Sequence, residues 1–320
     1  MDDFGVIIGC CDQDFMLAQG TCASLRHSLG DVPICLLVDG SASAFPVKAM
    51  QKTYGVEVLD RQRVSNEFLR KNSFGWGLTK MIAFWESPWS NFLFLDADTI
   101  VWGNVLEKFG NFQDFDLIID KPPYSYSDES VSHWFFDIKG VEKYFPNFDW
   151  RKYRDNYFCT GTFFAKRNVF TLEEYQDILK FMSTHPGIFK YGEMGLLNFM
   201  IFRALQEGRA RVAMEDMQSL IPDYNYGQLE KRFPVDENGP VFTEVEANVI
   251  HWSGPKPSLF RPDIYAAPMT FYRRQFVRDA WDYKGWGADA SLKKEDLMRY
   301  VFLYKNKIRK RVKNFLSKKG

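Results

Sequence analysis

No run of about 18 apolar residues occurs in the 320-residue chain, so the sequence predicts no membrane-spanning helix. Net charge is missing too. Lysine plus arginine (41) balances aspartate plus glutamate (41), which excludes the whole-chain basic field of a nucleic-acid binder. Cysteine is sparse and odd in number. Cys10, Cys11, Cys22, Cys35 and Cys159 have neither zinc-site spacing nor a disulfide framework, so they read as reduced thiols, mostly core fillers, of a cytoplasmic protein. The opening MDDFGVIIGC starts with two acids rather than a basic segment, which predicts no signal peptide.

What is present points to a packed core. Apolar residues make up 46% and charged residues 26%, which rules out disorder and a coiled-coil rod. Neither an internal repeat nor a low-complexity linker divides the chain, so one compact domain with a C-terminal appendage is expected. The balanced charge is unevenly placed. Nine bases and no acid lie between Arg299 and Gly320, leaving a moderately acidic body and a basic tail suited to an anionic partner.

Short β-like runs alternate with helix-like stretches over the first 120 residues. Val6–Cys11, Ile34–Val38, Val56–Leu59, Phe92–Leu95 and Asp116–Ile119 read as strands; Phe15–Ser28, Ala44–Thr53 and Lys80–Trp85 read as helices. Continuous apolar strands in this alternation imply an α/β fold with a mostly parallel sheet covered on both faces. Lys121–Asp155 reads as a long loop region with short helices. Thr160–Ala165, Arg211–Ala213 and Ala247–His251 are later strands, and Leu172–Met182, Met194–Ala204, Thr270–Asp282 and Lys293–Leu316 later helices.

The most informative segment is Phe92-Leu93-Phe94-Leu95-Asp96-Ala97-Asp98-Thr99. Ligands gather at the carboxyl ends of strands in an open parallel sheet, and two carboxylates there suit a hard divalent cation. A bare Asp-x-Asp also fits a strand end followed by an Asp helix cap. An EF-hand loop from Asp96 fails, because Ile100 and Val101 stand where it needs an acid or amide and a glycine. A phosphatase with the pair on its first strand is a weak alternative, with Glu215-Asp216 as its only second acidic pair.

A second constellation is His251-Trp252-Ser253-Gly254-Pro255-Lys256-Pro257. An imidazole at a strand end can complete a divalent shell, Gly254 lets backbone approach a phosphate, and Lys256 brings a mobile positive charge. Alone, the segment fits a proline-rich surface turn with a satisfied histidine somewhat better.

Together the two motifs resemble the retaining GT-A glycosyltransferases that include glycogenin and the bacterial lipooligosaccharide galactosyltransferases (glycosyltransferase family 8-like). That family shows a strand ending in D-x-D and a late H-x-x-G-x-x-K-P; here the latter is one residue shorter. The resemblance extends over most of residues 4–260. It implies a Rossmann-like GT-A domain over 1–265, a C-terminal helical region over 266–320, and transfer of a hexose (glucose, galactose or N-acetylhexosamine) from a UDP-sugar to a saccharide or glycolipid. It further implies Mn²⁺ or Mg²⁺ held by Asp96, Asp98 and His251. Cys10, Cys11, Asp12, Ala97 and Gly254 would bind the nucleotide, with Phe15 stacking on the base. Lys80 and Lys256 would meet the diphosphate or donor sugar, and Glu193 is the carboxylate nearest the sugar. Tyr191–Asn198 resembles the family's D-Q-G-L-L-N helix start and Cys159-Thr160-Gly161 its N-[AS]-G; Glu193, Met194 and Cys159 depart from those patterns around the sugar pocket. An inactive nucleotide-sugar-binding protein is the remaining alternative.

Two surfaces complete the reading. Tyr124–Phe136 mixes aromatics with polar groups and suits sugar stacking or a lid. In the tail, Val301, Tyr304, Ile308, Val312 and Phe315 form one apolar helical face among bases, which predicts peripheral association with an anionic membrane surface on the cytoplasmic side.

Overall fold

The computed structural model describes residues 3–40, 47–75, 77–109, 112–242, 248–283 and 285–317, with side chains 108–109, 306 and 309–317 left aside. Its strands are β1 (Phe4–Cys11), β2 (Ile34–Asp39), β3 (Glu57–Leu59), β4 (Asn91–Asp96), β5 (Thr99–Trp102), β6 (Leu117–Asp120), β7 (Thr162–Lys166), β8 (Val212–Glu215), β9 (Gln218–Leu220) and β10 (Asn248–His251).

Seven strands form the central sheet in the order β3-β2-β1-β4-β7-β6-β8. All pairings are parallel except those of β7, which runs antiparallel to β4 and β6. The apolar runs are continuous because both faces are buried. Along β4, Leu93 and Leu95 enter one core while Phe92 and Phe94 enter the other; along β1, Val6 and Ile8 face opposite to Ile7. Chain order reverses at β1, with β2 and β3 on one side and β4 on the other. Such a switch point opens a crevice at the strand carboxyl ends, and Cys11 and Asp96 sit at its lip.

A second sheet, β5-β10-β9, carries the late histidine. β10 is antiparallel to β5, and its register sets His251 opposite Thr99, the residue after Asp98. The Trp252 amide then donates to the Asp98 carbonyl at 3.1 Å. Pairing of two short strands thus joins motifs about 150 residues apart.

The C-terminal region 266–320 divides in two. Helix Ala267–Trp281 packs on helix Phe15–Leu29 and buries Met269, Tyr272, Phe276 and Val277 in the main core. Helix Trp286–Ser317 buries Ala288 and Leu292, while Leu297, Val301, Tyr304 and Ile308 are exposed. Val312 and Phe315 of the expected tail face lie outside the described side chains, and Ala44 and Ala247 outside the described residues. The local reading missed β5, β9 and the helices Glu67–Asn72 and Tyr226–Arg232.

Candidate metal and nucleotide-sugar site

Asp96 closes β4 and Asp98 follows in a tight turn. That turn is pinned from below by helix Phe15–Leu29, where the Thr21 hydroxyl lies 2.8 Å from both the Ala97 and Thr99 carbonyls. The Ala97 amide donates to the Gly9 carbonyl at 3.0 Å and the Asp96 amide to that of Gly161 at 2.8 Å. Both carboxylates are therefore presented on a fixed backbone.

One ligand atom each from Asp96, Asp98 and His251 lies within 4.8 Å of the others. His251 Nε2 is 3.5 Å from Asp98 and 3.8 Å from Asp96. Two carboxylates and an imidazole nitrogen suit Mn²⁺ or Mg²⁺. The ring reaches this position because residue 161 has no side chain: a Cβ there would lie 2.2 Å from the imidazole.

The imidazole is also aimed from behind. His251 Nδ1 sits 3.0 Å from Gln218 Oε1, and the Gln218 amide nitrogen donates to Asp120 at 3.2 Å and to the Cys159 carbonyl at 2.7 Å. With that nitrogen committed to two acceptors, Gln218 offers its oxygen to Nδ1–H and leaves Nε2 free to ligate. Asp120 accepts from the Met217 and Gln218 backbone amides, each at 3.0 Å. Burial raises its carboxyl to about 7 against those donors. Gln218→Leu, which keeps the bulk and loses the acceptor, is expected to weaken Mn²⁺ binding about tenfold or more, measured by calorimetry.

Electrostatics at the triad is tightly balanced. Burial opposes charge on the Asp98 carboxyl, yet the Lys256 ammonium bonded to it and the His251 ring hold it well below the ordinary range. Burial likewise opposes charge on the imidazole, but Cys159 and Asp98 outweigh it and raise His251 to about 10. A ligating imidazole must be neutral, so an arriving cation displaces this proton. Mn²⁺ affinity should therefore fall as pH is lowered from 8 to 6, by about tenfold per unit for one proton released, in titrations at constant ionic strength.

Lys80 is buried. Its ammonium lies 3.0 Å from Asp96, 2.9 Å from Glu193 and 2.7 Å from the Thr160 carbonyl. An ammonium has three hydrogens, and here each has an acceptor, so Lys80 holds Asp96 and Glu193 in place. Glu193 opens helix Glu193–Gln206 and also accepts from the Thr160 hydroxyl at 3.1 Å. Gly77, at φ +80°, makes room for it: a Cβ there would sit 1.8 Å from the carboxylate.

These groups line a cavity of about 830 Å³ that also takes in Cys10, Cys11, Ala97, Gly254 and Lys256. Two expectations are corrected. Phe15 is 4% exposed and belongs to the core, because it is the first residue of its helix and turns inward; it has no face for a base. Asp12 is exposed outside the cavity, whereas Asp14 and Asp39 line it. The aromatic stretch contributes Tyr124, Tyr126 and Trp134 to the mouth, beside Tyr191. Of the acidic pair wanted by a phosphatase, Asp216 lines a separate 400 Å³ cavity and Glu215 lines neither.

No protein-family model and no curated protein sequence matches the chain. Among solved structures, the galactosyltransferase LgtC in complex with donor and acceptor sugar analogues aligns over 88% of this chain and 96% of its own, at 15% identity and a TM-score of 0.51. The bifunctional glycosyltransferase WbbM, in its apo form, aligns over 93% of this chain but 52% of its own length, at 13% identity and a TM-score of 0.50. The chain has the GT-A fold.

Within this GT-A chain the triad stands where the first sheet hands over to the second. Residues the sequence did not single out, Thr21, Gln218 and Asp120, turn out to orient it, together with Gly161 of the Cys159-Thr160-Gly161 segment. The only sequence signal of the first three is polarity at positions that burial would otherwise fill with apolar side chains.

Proposed function

We propose that the protein is a metal-dependent, retaining glycosyltransferase that moves a hexose from a UDP-sugar to a saccharide or glycolipid acceptor. The observation that carries this reading is the convergence of Asp96, Asp98 and His251 with Lys256 on one cavity at the switch point of a GT-A sheet. A divalent cation bound there would neutralise charge growing on the leaving diphosphate.

The chain's own groups supply the rest. Lys256 Nζ, bonded to Asp98 and 3.1 Å from the Trp252 carbonyl, lies at the cavity wall as a second positive charge for the leaving group. Lys80 holds Asp96 and Glu193 in place by pairing with both. Tyr124, Trp134 and Tyr191 at the mouth offer apolar ring faces, which suit a pyranose.

Retention follows most simply by internal return. The bond between the anomeric carbon and the diphosphate oxygen breaks, the acceptor oxygen bonds to that carbon on the same face, and the acceptor's proton passes to the departing phosphate oxygen. No protein nucleophile is required. The alternative is covalent double displacement through Glu193, and near-native turnover of Glu193→Gln excludes it.

The reading is tested with a panel of UDP-sugars and Mn²⁺, following nucleotide release by slow donor hydrolysis. Failure of every donor to be hydrolysed, with UDP still bound, favours a binding protein that has lost turnover.

No described helix is long and apolar enough to cross a membrane. The proposal places the protein in the cytoplasm, peripherally on an anionic inner membrane face. Leu297, Val301, Tyr304 and Ile308 recur at steps of three or four with exposed apolar side chains, and Lys305 and Lys307 flank them. Apolar insertion plus attraction of bases to anionic lipid suits that pattern. Sedimentation with phosphatidylserine vesicles should be lost in a chain lacking residues 300–320. Undiminished sedimentation sinks the tail assignment.

A further inference from the structure

Helix Trp286–Ser317 does more than carry the basic tail. Its buried stripe, Ala288, Leu292 and Asp296, is followed one turn later by Arg299, and the last two residues bond to two segments, Ser258-Leu259 and Gln13-Asp14, that adjoin or line the cavity.

Asp296 is 4% exposed yet fully engaged. One oxygen accepts from Arg273 Nη1 at 2.9 Å; the other accepts from the Leu259 amide at 2.7 Å and the Ser258 hydroxyl at 3.1 Å. Ser258 and Leu259 follow Lys256-Pro257 directly. The loop is tied at its other end by Trp252, whose amide donates to Asp98 O and whose indole donates to Tyr265 O at 2.8 Å. Lys256 therefore projects from a segment anchored on both sides, and Asp296 is the downstream anchor.

Arg299 Nε donates to the Gln13 carbonyl at 2.8 Å and Nη2 to the Asp14 carboxylate at 3.2 Å, and both Gln13 and Asp14 line the cavity. Asp14 stands at the N-cap position of helix Phe15–Leu29 but makes no capping hydrogen bond; its side chain turns to Arg299 and to the Cys11 thiol. A residue type that ordinarily caps its own helix is here diverted to a helix 285 positions away.

Asp296 and Arg299 are three apart, on one side of a rigid helical turn. We infer that they are positioning residues: this single turn sets the separation between the Lys256 loop and the Asp14 turn, and so the geometry with which the cleft grips a nucleoside diphosphate–metal complex. The inference rests on the proposed function for its ligand.

The test uses the full chain with Arg299→Ala, Arg299→Lys, Ser258→Ala and Asp296→Asn. Three quantities are read: affinity for UDP with Mn²⁺ by calorimetry, kcat and KM for donor hydrolysis, and amide exchange at residues 12–16 and 252–260 in the ligand-free protein. Arg299→Ala should weaken UDP–Mn²⁺ binding about tenfold, raise KM more than it lowers kcat, and speed exchange at residues 12–16 with the melting temperature nearly unchanged. Arg299→Lys should restore most of the affinity. Ser258→Ala should act in the same direction more weakly and speed exchange at 252–260, which keeps the loop arm testable should Asp296→Asn fail to fold. Native affinity and KM in both Arg299→Ala and Ser258→Ala overturn the inference while leaving the proposed function intact. Faster exchange with native affinity overturns it as well, reducing the helix to a structural strap. Absence of UDP–Mn²⁺ binding by the unaltered protein overturns the proposed function itself, and the positioning role with it.

Discussion

Asp98→Asn is expected to lower metal-dependent turnover by about a thousandfold and to weaken Mn²⁺ binding by about a hundredfold or more. The substitution keeps shape and removes one negative charge at the point where the most depends on it. Asp98 is 4% exposed, is bonded to Lys256, and lies 3.5 Å from His251 Nε2. Its backbone carbonyl, not its side chain, receives the Trp252 amide, so the link between the two sheets survives. The remaining carboxylate, Asp96, is already shared with Lys80 and cannot alone neutralise a divalent ion. Circular dichroism and the melting curve report whether the fold holds. Turnover within tenfold of native at saturating Mn²⁺ would remove the triad from the mechanism.

Lys256→Ala should separate binding from chemistry. Turnover is expected to fall about a hundredfold, because a positive charge beside the leaving diphosphate acts where negative charge develops. Mn²⁺ affinity should hold or rise, since the variant frees Asp98 from a competing cation. Loss through the unpaired carboxylate is limited once the metal is bound. A steady-state series over Mn²⁺ concentration reads both effects at once. Equal losses in affinity and turnover would instead make Lys256 a scaffold for Asp98.

Both expectations begin from residues that were legible in the chain before any coordinates. Four bulky apolar residues running into Asp96-Ala97-Asp98, and Ala247–Ile250 running into His251, mark strand ends because burial on both faces demands continuous apolar side chains and the polar residue that follows must face solvent or ligand. That local pattern also determined the α/β class, most strands of the central sheet and the long helices. The family resemblance, not the local pattern, failed at Asp12 and Phe15, where the start of helix Phe15–Leu29 decides which side chains turn inward. Phe15 went to the core and Asp14, two residues on from Asp12, to the cavity.

What tertiary structure alone decided is the company each of these residues keeps. β5 and β9 are four and three residues long, too short to show a period, yet β5 sets the register that carries His251 to Asp98, and β9 delivers Gln218 to the imidazole. Thr21, Gln218 and Asp296 have no motif because their roles depend on which distant backbone arrives beside them. Alternation of apolar and polar residues records how far a side chain is from water. It does not record strand partners, register, or which helix crosses which loop, since those follow from packing summed over the whole chain.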